Sequence, residues 1–423
     1  MLPNPTTHLL DRVLDPDTIN KAWRKVRANK GAPGIDGLAI EDFVAHMRRV
    51  GKGLLEAIRS GTYRPYPVKR VYIEKGDGSW RGLGIPTVFD RVIQQAIVLV
   101  LTPLFDPNFS ESNYGFRPGQ SQHQAIRKVQ EYVCEGRRIA VDVDLSKFFD
   151  RVNHDLLMTL LGRKIRDKRL LKLIALYLRA GIVEDGVLHD TYEGVPQGGP
   201  LSPLLSNIIL DPLDKELERR GHKFARWADD FIILVHSKRS GERVLASITQ
   251  YIEKKLKLKV NDQKSKVVPT SRCKFLGFSF RGSDIIWHPS ALDKFKDKVK
   301  RITKRSRGKS VAAVLRELNA FLRGWINYFG IAKGYQKCID LDGWIRRRLR
   351  SYYWKQWRKT RTRIRNLLRL GVPADMAIPA GASNKSYWRN SKTPAINLGL
   401  SNEYFAKLGL VSLTKRWVEI HYR

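Results

Sequence analysis

The chain has 423 residues and a net charge of +37, from 78 Lys and Arg against 41 Asp and Glu. Its 42% hydrophobic and 10% aromatic content excludes a disordered basic tail and supplies cores for two or three domains. No apolar run approaches membrane-spanning length, no secretory signal opens the chain, and three isolated cysteines (Cys134, Cys273, Cys338) make no CxxC pair, which argues against a zinc or disulfide framework and for a reducing, cytoplasmic setting.

The first 62 residues read as helices around a turn-rich loop at 29–37, punctuated by Gly31, Pro33, Gly34 and Gly37. Residues 68–74 and 80–85 read as two strands joined by a Gly76-Asp77-Gly78 turn. Apolar residues from Val92 to Leu104 recur at helical spacing, and another helix begins at a Ser121 cap. Residues 139–145 alternate, with Val141, Val143 and Leu145 facing a core and Asp142 and Asp144 on the open face. Helices are expected at 153–162, 167–180 and 241–257. The segment 223–235 reads as strand, tight turn and strand with Asp229 and Asp230 at the turn, and 275–280 as a further strand. Residues 290–370 read as helical throughout, 371–381 as a linker, and 385–423 as a small basic and aromatic tail.

The charge is unevenly spread. Residues 140–235 carry 14 Lys/Arg and 15 Asp/Glu, whereas residues 294–369 carry 24 and 4. The first segment keeps acids inside a basic protein, and the second reads as a grip on nucleic acid. An Asp-Asp pair alone is an ordinary surface turn. Here the apolar run 231–235 follows it and holds the turn against a core. Neighbouring strands that bring Asp144, Asp229 and Asp230 together would make three carboxylates repel. Divalent cations relieve that repulsion, and two of them about 3.5–4 Å apart suit phosphoryl transfer.

Eight blocks then stand in order: NKGAPGIDG (29–37), RGLGIPTVFDRVIQQAI (81–97), SNYGFRPGQS (112–121), VDVDLSKFFDRVNHD (141–155), GVPQGGPLSPLLSNI (194–208), RWADDF (226–231), NDQKSKV (261–267) and FLGF (275–278), followed by LNAFLRGWINYF (318–329). Through them the chain resembles the bacterial group II intron-encoded reverse transcriptases, or maturases, in their compact, class C-like form without an endonuclease domain. The resemblance implies an α+β right-hand polymerase. Fingers and palm with antiparallel sheet would occupy 1–284, a helical thumb or maturase domain 285–370, and a small DNA-binding region 371–423. It implies an RNA-directed DNA polymerase that binds its intron RNA, assists splicing and copies the intron during retromobility. Its partners would be intron RNA, an RNA template with DNA or RNA primer, a DNA target and dNTPs, with no membrane. Its cofactor would be two Mg²⁺ ions, with Mn²⁺ as a substitute. A free-standing reverse transcriptase of repair or defence, and a non-catalytic RNA-binding splicing factor, remain open as alternatives. The tail has no paired cysteines or clustered histidines, so no endonuclease is expected.

By the same resemblance, Asp144, Asp229 and Asp230 are the catalytic, metal-binding acids, Asp230 less directly. The Leu145 backbone lies beside them, and the N–H groups of 145–148 are expected to cradle the triphosphate. Asp142 reads as structural. Lys75 and Arg81 match the pair that grips the triphosphate. Phe149 matches the ring that blocks a ribose 2′-OH, with Phe148 a core residue. Gln197 matches the residue near the nucleotide sugar. Nucleic-acid contacts are expected at Gly31, Arg117 (template contact or organiser of the fingers), Trp227, Lys264 (a candidate proton donor to pyrophosphate), Trp325, Arg347, Arg350, Lys355 and Arg358, where rings interleave with cations. Trp227 departs from the family's usual Tyr. It keeps an aromatic face, loses a hydroxyl and adds bulk.

Overall fold

The computed structural model describes residues 6–74, 78 and 80–422. Among these the strands are, in chain order, β1 (Val68–Glu74), β2 (Trp80–Ile85), β3 (Ile139–Val143), β4 (Ile182–Glu184), β5 (Val187–His189), β6 (Lys223–Trp227), β7 (Asp230–Val235), β8 (Lys266–Pro269), β9 (Phe278–Arg281) and β10 (Asp284–Trp287). The chain divides into two compact units between Thr270 and Ser271.

The first unit holds two four-stranded sheets. One has the order β6-β7-β3-β8 and is antiparallel throughout, with Val143 opposite Phe231 and Asp142 opposite both Ile232 and Lys266. The other, β2-β1-β4-β5, is mixed, because Val68 and Lys69 of β1 pair in parallel with Ile182 and Val183 of β4. The expected antiparallel sheet thus includes one parallel pairing. Strands of three residues, such as β4 and β5, are too short to show alternation. The helix Val88–Phe105 runs through the core, burying Val92, Ile93, Ala96, Ile97 and Leu101 and packing on the helix Pro16–Ala28. Its extension to Asn108 gives 21 residues that are long and apolar enough to cross a membrane by length and composition. That corrects the expectation that no run reached such a length. Most of the stretch is buried within this unit. Its charged start is absorbed locally: buried Asp90 accepts hydrogen bonds from the Tyr63 hydroxyl and Thr87 Oγ1, each at 2.7 Å. The helix Ser202–Arg219 was not read from the sequence, since Pro203 sits in its first turn and Pro212 inside it.

The second unit joins the β9–β10 hairpin to the helices that follow. Trp287 of β10 packs on Trp325 at 5.0 Å between ring centroids, and Trp325 meets Phe295 at 4.5 Å and Phe329 at 5.0 Å. The hairpin therefore belongs with the helices, and the division falls at 270 rather than at 284. The helical region is broken into Pro289–Ile302, Val311–Phe329, Tyr335–Gln356 and Thr360–Arg369 rather than continuous. Residues expected as a linker form the helix Ala374–Ala382, which packs on Thr360–Arg369. The tail is not a separate body either. The buried Asp342 carboxylate accepts from the N–H groups of Leu413 (2.9 Å) and Thr414 (3.1 Å) and from Ser412 Oγ (2.8 Å). It thereby fixes the start of the last helix, Leu413–His421, against Tyr335–Gln356.

Candidate active site

Asp144 directly follows the last residue of β3, Asp229 lies in the turn between β6 and β7, and Asp230 opens β7. The main chain around Asp144 is pinned on the β8 side. Its N–H donates to Ser265 Oγ at 3.1 Å and its carbonyl accepts from the Asn261 N–H at 2.8 Å. The β6–β7 turn is tight because Ala228 adopts a left-handed φ of 57°. Burial raises the Asp229 pKa. Among nearby charges, Asp144 pushes it further up, while Arg81 and Arg226 pull it down. Asp144, Asp229 and Arg81 thus share one electrostatic field.

The expected meeting of all three acids is not seen. Among the described residues no group of three or more His, Cys, Asp or Glu side chains stands ready to hold a metal ion. The donor set that remains fits a hard divalent cation: two carboxylates in one field, one of them disfavoured in its ionised form by burial. A main-chain oxygen is also at hand. Leu145 forms an isolated bridge with Val260, but the bonds that close it come from its neighbours, Asp144 O with Asn261 N and Ser146 N with Lys259 O, both at 2.8 Å. The Leu145 carbonyl stays out of that ladder. The same bonds correct the cradle expected over 145–148, because the Ser146 N–H is already given to Lys259.

The nucleotide candidates come together in part. Arg81 Nε donates to Gln197 Oε1 at 2.8 Å, and the Gln197 carbonyl accepts from the Gly84 N–H at 2.7 Å. Gly198 has a φ of 120°, and a Cβ there would lie 2.7 Å from the Gly84 carbonyl oxygen, so glycine is what lets this loop close on β2. Phe149 packs edge-on against Phe148 at 5.0 Å and lines a cavity of about 300 Å³ with Arg70, Lys147, Gly194, Val195 and Pro196. Lys75 lies outside the described residues.

The expected nucleic-acid residues divide. Lys264, Lys355 and Arg358 are exposed, and Trp227 is half-buried, its ring 6.5 Å from that of exposed Phe116. Lys355, Arg305 and Arg363 approach one ring, Tyr387, at 5.2, 5.1 and 5.9 Å. Gly31 lies against Arg91, whose Nη2 donates to the Ala32 carbonyl at 2.7 Å; a Cβ on Gly31 would meet that guanidinium at 2.4 Å. Of the two roles left open for Arg117 the structure favours the organiser, and three other expectations are corrected. Arg117 is occupied by the fold: Nε donates to Asp106 Oδ1 (2.8 Å), Nη1 to the carbonyls of Ser110 (2.6 Å) and Asn113 (3.0 Å), and Nη2 to the Asp106 carbonyl (3.0 Å). Trp325 is 7% exposed within the aromatic core, and Arg350, 9% exposed, gives Nε to the Leu400 carbonyl at 2.8 Å. Burial, with nearby Arg346, pulls the Arg350 pKa down to about 10. Arg347 stacks on Trp388 at 3.8 Å and donates to its carbonyl, tying down the tail. An alternating ring-and-cation sequence does not say which rings and cations face each other inside.

The sequence reading also passed over a buried polar group beside the site. Arg226 and Asp214 are fully buried and paired through two hydrogen bonds, at 2.8 and 2.5 Å. Only its place next to Trp227 in the 226–231 block signalled it, and Arg is ordinarily an exposed residue.

Residues 73–280 match the family model of the reverse transcriptase (RNA-dependent DNA polymerase), and residues 292–371 match the group II intron maturase-specific domain. The chain is 33% identical over 319 residues to Protein YkfC of Escherichia coli (strain K12), a match covering 66% of this chain and 82% of that protein. It is 30% identical over 341 residues to the group II intron-encoded protein LtrA of Lactococcus lactis subsp. cremoris, a match covering 65% of this chain and 57% of LtrA. Among solved structures, a chain of the partial Cas6-RT-Cas1–Cas2 complex is 29% identical, with 58% of this chain and 42% of that one covered and a TM-score of 0.39.

Proposed function

The chain belongs to the reverse transcriptases that carry a group II intron maturase domain, and is by that membership an RNA-directed DNA polymerase; from this premise we propose that it binds a group II intron RNA, assists its splicing and copies it into DNA from a primer 3′-OH. The placement of the reaction is supported by geometry, since Asp144 directly follows β3 and Asp229 lies in the turn that leads into β7, the strand paired with β3; burial raises the Asp229 pKa, with Arg81 pulling it down and Asp144 pushing it up. Asp144, Asp229 and the Leu145 carbonyl would hold divalent cations, Mg²⁺ first, with Asp230 beside them. When bound, such ions lower the pKa of the attacking hydroxyl and neutralise the triphosphate.

The chain's own groups do the rest. Arg81, oriented by Gln197, meets the triphosphate with its remaining N–H donors, and Lys75 acts with it as a point charge. The cavity edge at Phe149 excludes a 2′-OH and so selects deoxynucleotides. Trp227 and Phe116 offer apolar faces to the primer terminus or template. In the second unit, exposed Lys355 and Arg358, with the cations gathered at Tyr387, take RNA phosphates. A DNA target would use the same basic surface.

Primer extension on an RNA template in Mg²⁺, together with splicing of the RNA that flanks the reading frame, tests this reading. The expected result is templated DNA synthesis and protein-dependent splicing of a six-domain ribozyme. Synthesis without any such flanking RNA would favour a free-standing reverse transcriptase. Splicing without synthesis would favour a non-catalytic splicing factor.

A further inference from the structure

Asp229 stands on a turn that its own sequence does not favour. Ala228 holds a left-handed φ of 57°, a conformation that L-residues with a Cβ resist. Two neighbours enclose that turn. On one side is Gly115, where a Cβ would come within 2.2 Å of the Ala228 nitrogen. On the other is the Arg226 guanidinium, whose Nη1 donates to the Ala228 carbonyl at 2.9 Å and to Asn207 Oδ1 at 3.1 Å. The guanidinium is itself fixed by the Asp214 carboxylate on the helix Ser202–Arg219. Asn207, on that same helix, donates Nδ2 to the Gly115 carbonyl at 2.8 Å. The loop is tied in again by its main chain: the Tyr114 N–H donates to the Arg226 carbonyl (2.9 Å), and the Arg226 N–H to the Ser112 carbonyl (2.8 Å).

We propose that Arg226 is a positioning residue for polymerisation: anchored by Asp214, it clamps the Ala228 carbonyl and so sets the strained turn that aims Asp229, while locking the 112–115 loop beside it. This rests on the placement of the polymerase centre at that turn. A buried ion pair is a poor device for stability alone, since apolar residues of similar volume often replace one without loss. What such residues cannot replace is the directed N–H at the Ala228 carbonyl.

The test is the double variant Asp214→Leu/Arg226→Met, which removes the pair without stranding either charge. We expect a melting temperature near that of the unaltered protein. We expect amide exchange at residues 228–230 to be faster by at least about tenfold, Mn²⁺ binding followed by electron paramagnetic resonance to be weaker, and kcat on an RNA template to fall by up to about 10²-fold, since small misplacements of a reacting group cost that much. KM for template–primer should stay unchanged. Wild-type exchange, Mn²⁺ binding and kcat in the folded double variant overturn the proposal. Should that variant not fold, Arg226→Lys, which keeps the charge opposite Asp214 but loses the forked donors, is read the same way: a selective loss in kcat with faster exchange supports the clamp, and wild-type values overturn it. Asp229→Asn runs in parallel. Full activity there removes the site reading and the clamp with it, whereas an inactive Asp229→Asn beside a fully active Arg226 variant refutes the clamp alone.

Discussion

Arg117 separates two meanings of a basic residue. As a template contact, its loss would weaken RNA binding and leave the fold intact. As found, its side chain is 10% exposed and makes an ion pair with Asp106 at 2.8 Å and three further bonds to main-chain carbonyls. Arg117→Ala strands a partly buried carboxylate and frees three carbonyls. Breaking a buried pair by removing one partner costs about 3–5 kcal/mol, and the residual water access of Asp106 places this case at the lower end. A loss of about 3 kcal/mol lowers the melting temperature of a unit this size by roughly 6 °C. The slope of log K against log[salt] for RNA should not change, whereas a cation that neutralises one phosphate of a single strand contributes about 0.7 to it. Lys355→Ala should behave in the opposite way, with an unchanged melting temperature and a shallower slope. Denaturation scans and salt titrations of both variants decide the matter. An Arg117→Ala protein of unaltered stability and reduced salt slope would falsify the structural role.

Three further outcomes follow from the same geometry. Trp325→Ala should destabilise the second unit by about 3–5 kcal/mol, read by chemical denaturation, while RNA binding by the remaining folded protein keeps its salt slope. Phe149→Ala should lower discrimination against NTPs by about 10–100-fold, the usual worth of a steric contact in a pocket; competitive dNTP/NTP incorporation measures it, and unchanged discrimination removes the steric role. Burial raises the Asp211 pKa to about 6, and its Oδ1 lacks a hydrogen-bond partner. The folded state therefore takes up a proton below about pH 6 that the unfolded chain does not bind until near 3.8. Stability relative to Asp211→Asn should rise as pH falls from about 7 to 4, by about 1–2 kcal/mol after allowance for partial exposure, and thermal scans of both proteins across that window check the sign.

The acids were legible because 139–145 alternates and because the unbroken apolar run 231–235 follows Asp229 and Asp230, so that polar residues against apolar strands are visible in one dimension. Arg81 and Gln197 were legible as nucleotide residues only through resemblance, and their contact not at all, since nothing local links residues 116 positions apart. Burial of charge was not legible. Arg117, Arg226 and Arg350 look alike in sequence to Lys355 and Arg358, and only the packed chain shows that the first three spend their N–H groups on Asp106, on Asp214 and Ala228, and on Leu400. Short strands and the proline-bearing helices Ser202–Arg219 and Ala374–Ala382 were missed for a related reason. The pairing of β1 with β4 and the helix around Pro212 are stabilised by tertiary neighbours rather than by local pattern.

The placement of the polymerase centre at Asp144 and Asp229 is decided by RNA-templated primer extension with Asp144→Asn/Asp229→Asn, a pair of near-isosteric changes that also relieves the crowding of charge. The expected outcome is a folded protein of equal or higher melting temperature, with unaltered RNA affinity and extension reduced by about 10³-fold or more, the several kcal/mol that metal-assisted charge stabilisation supplies. Extension within a few-fold of the unaltered protein would contradict that placement.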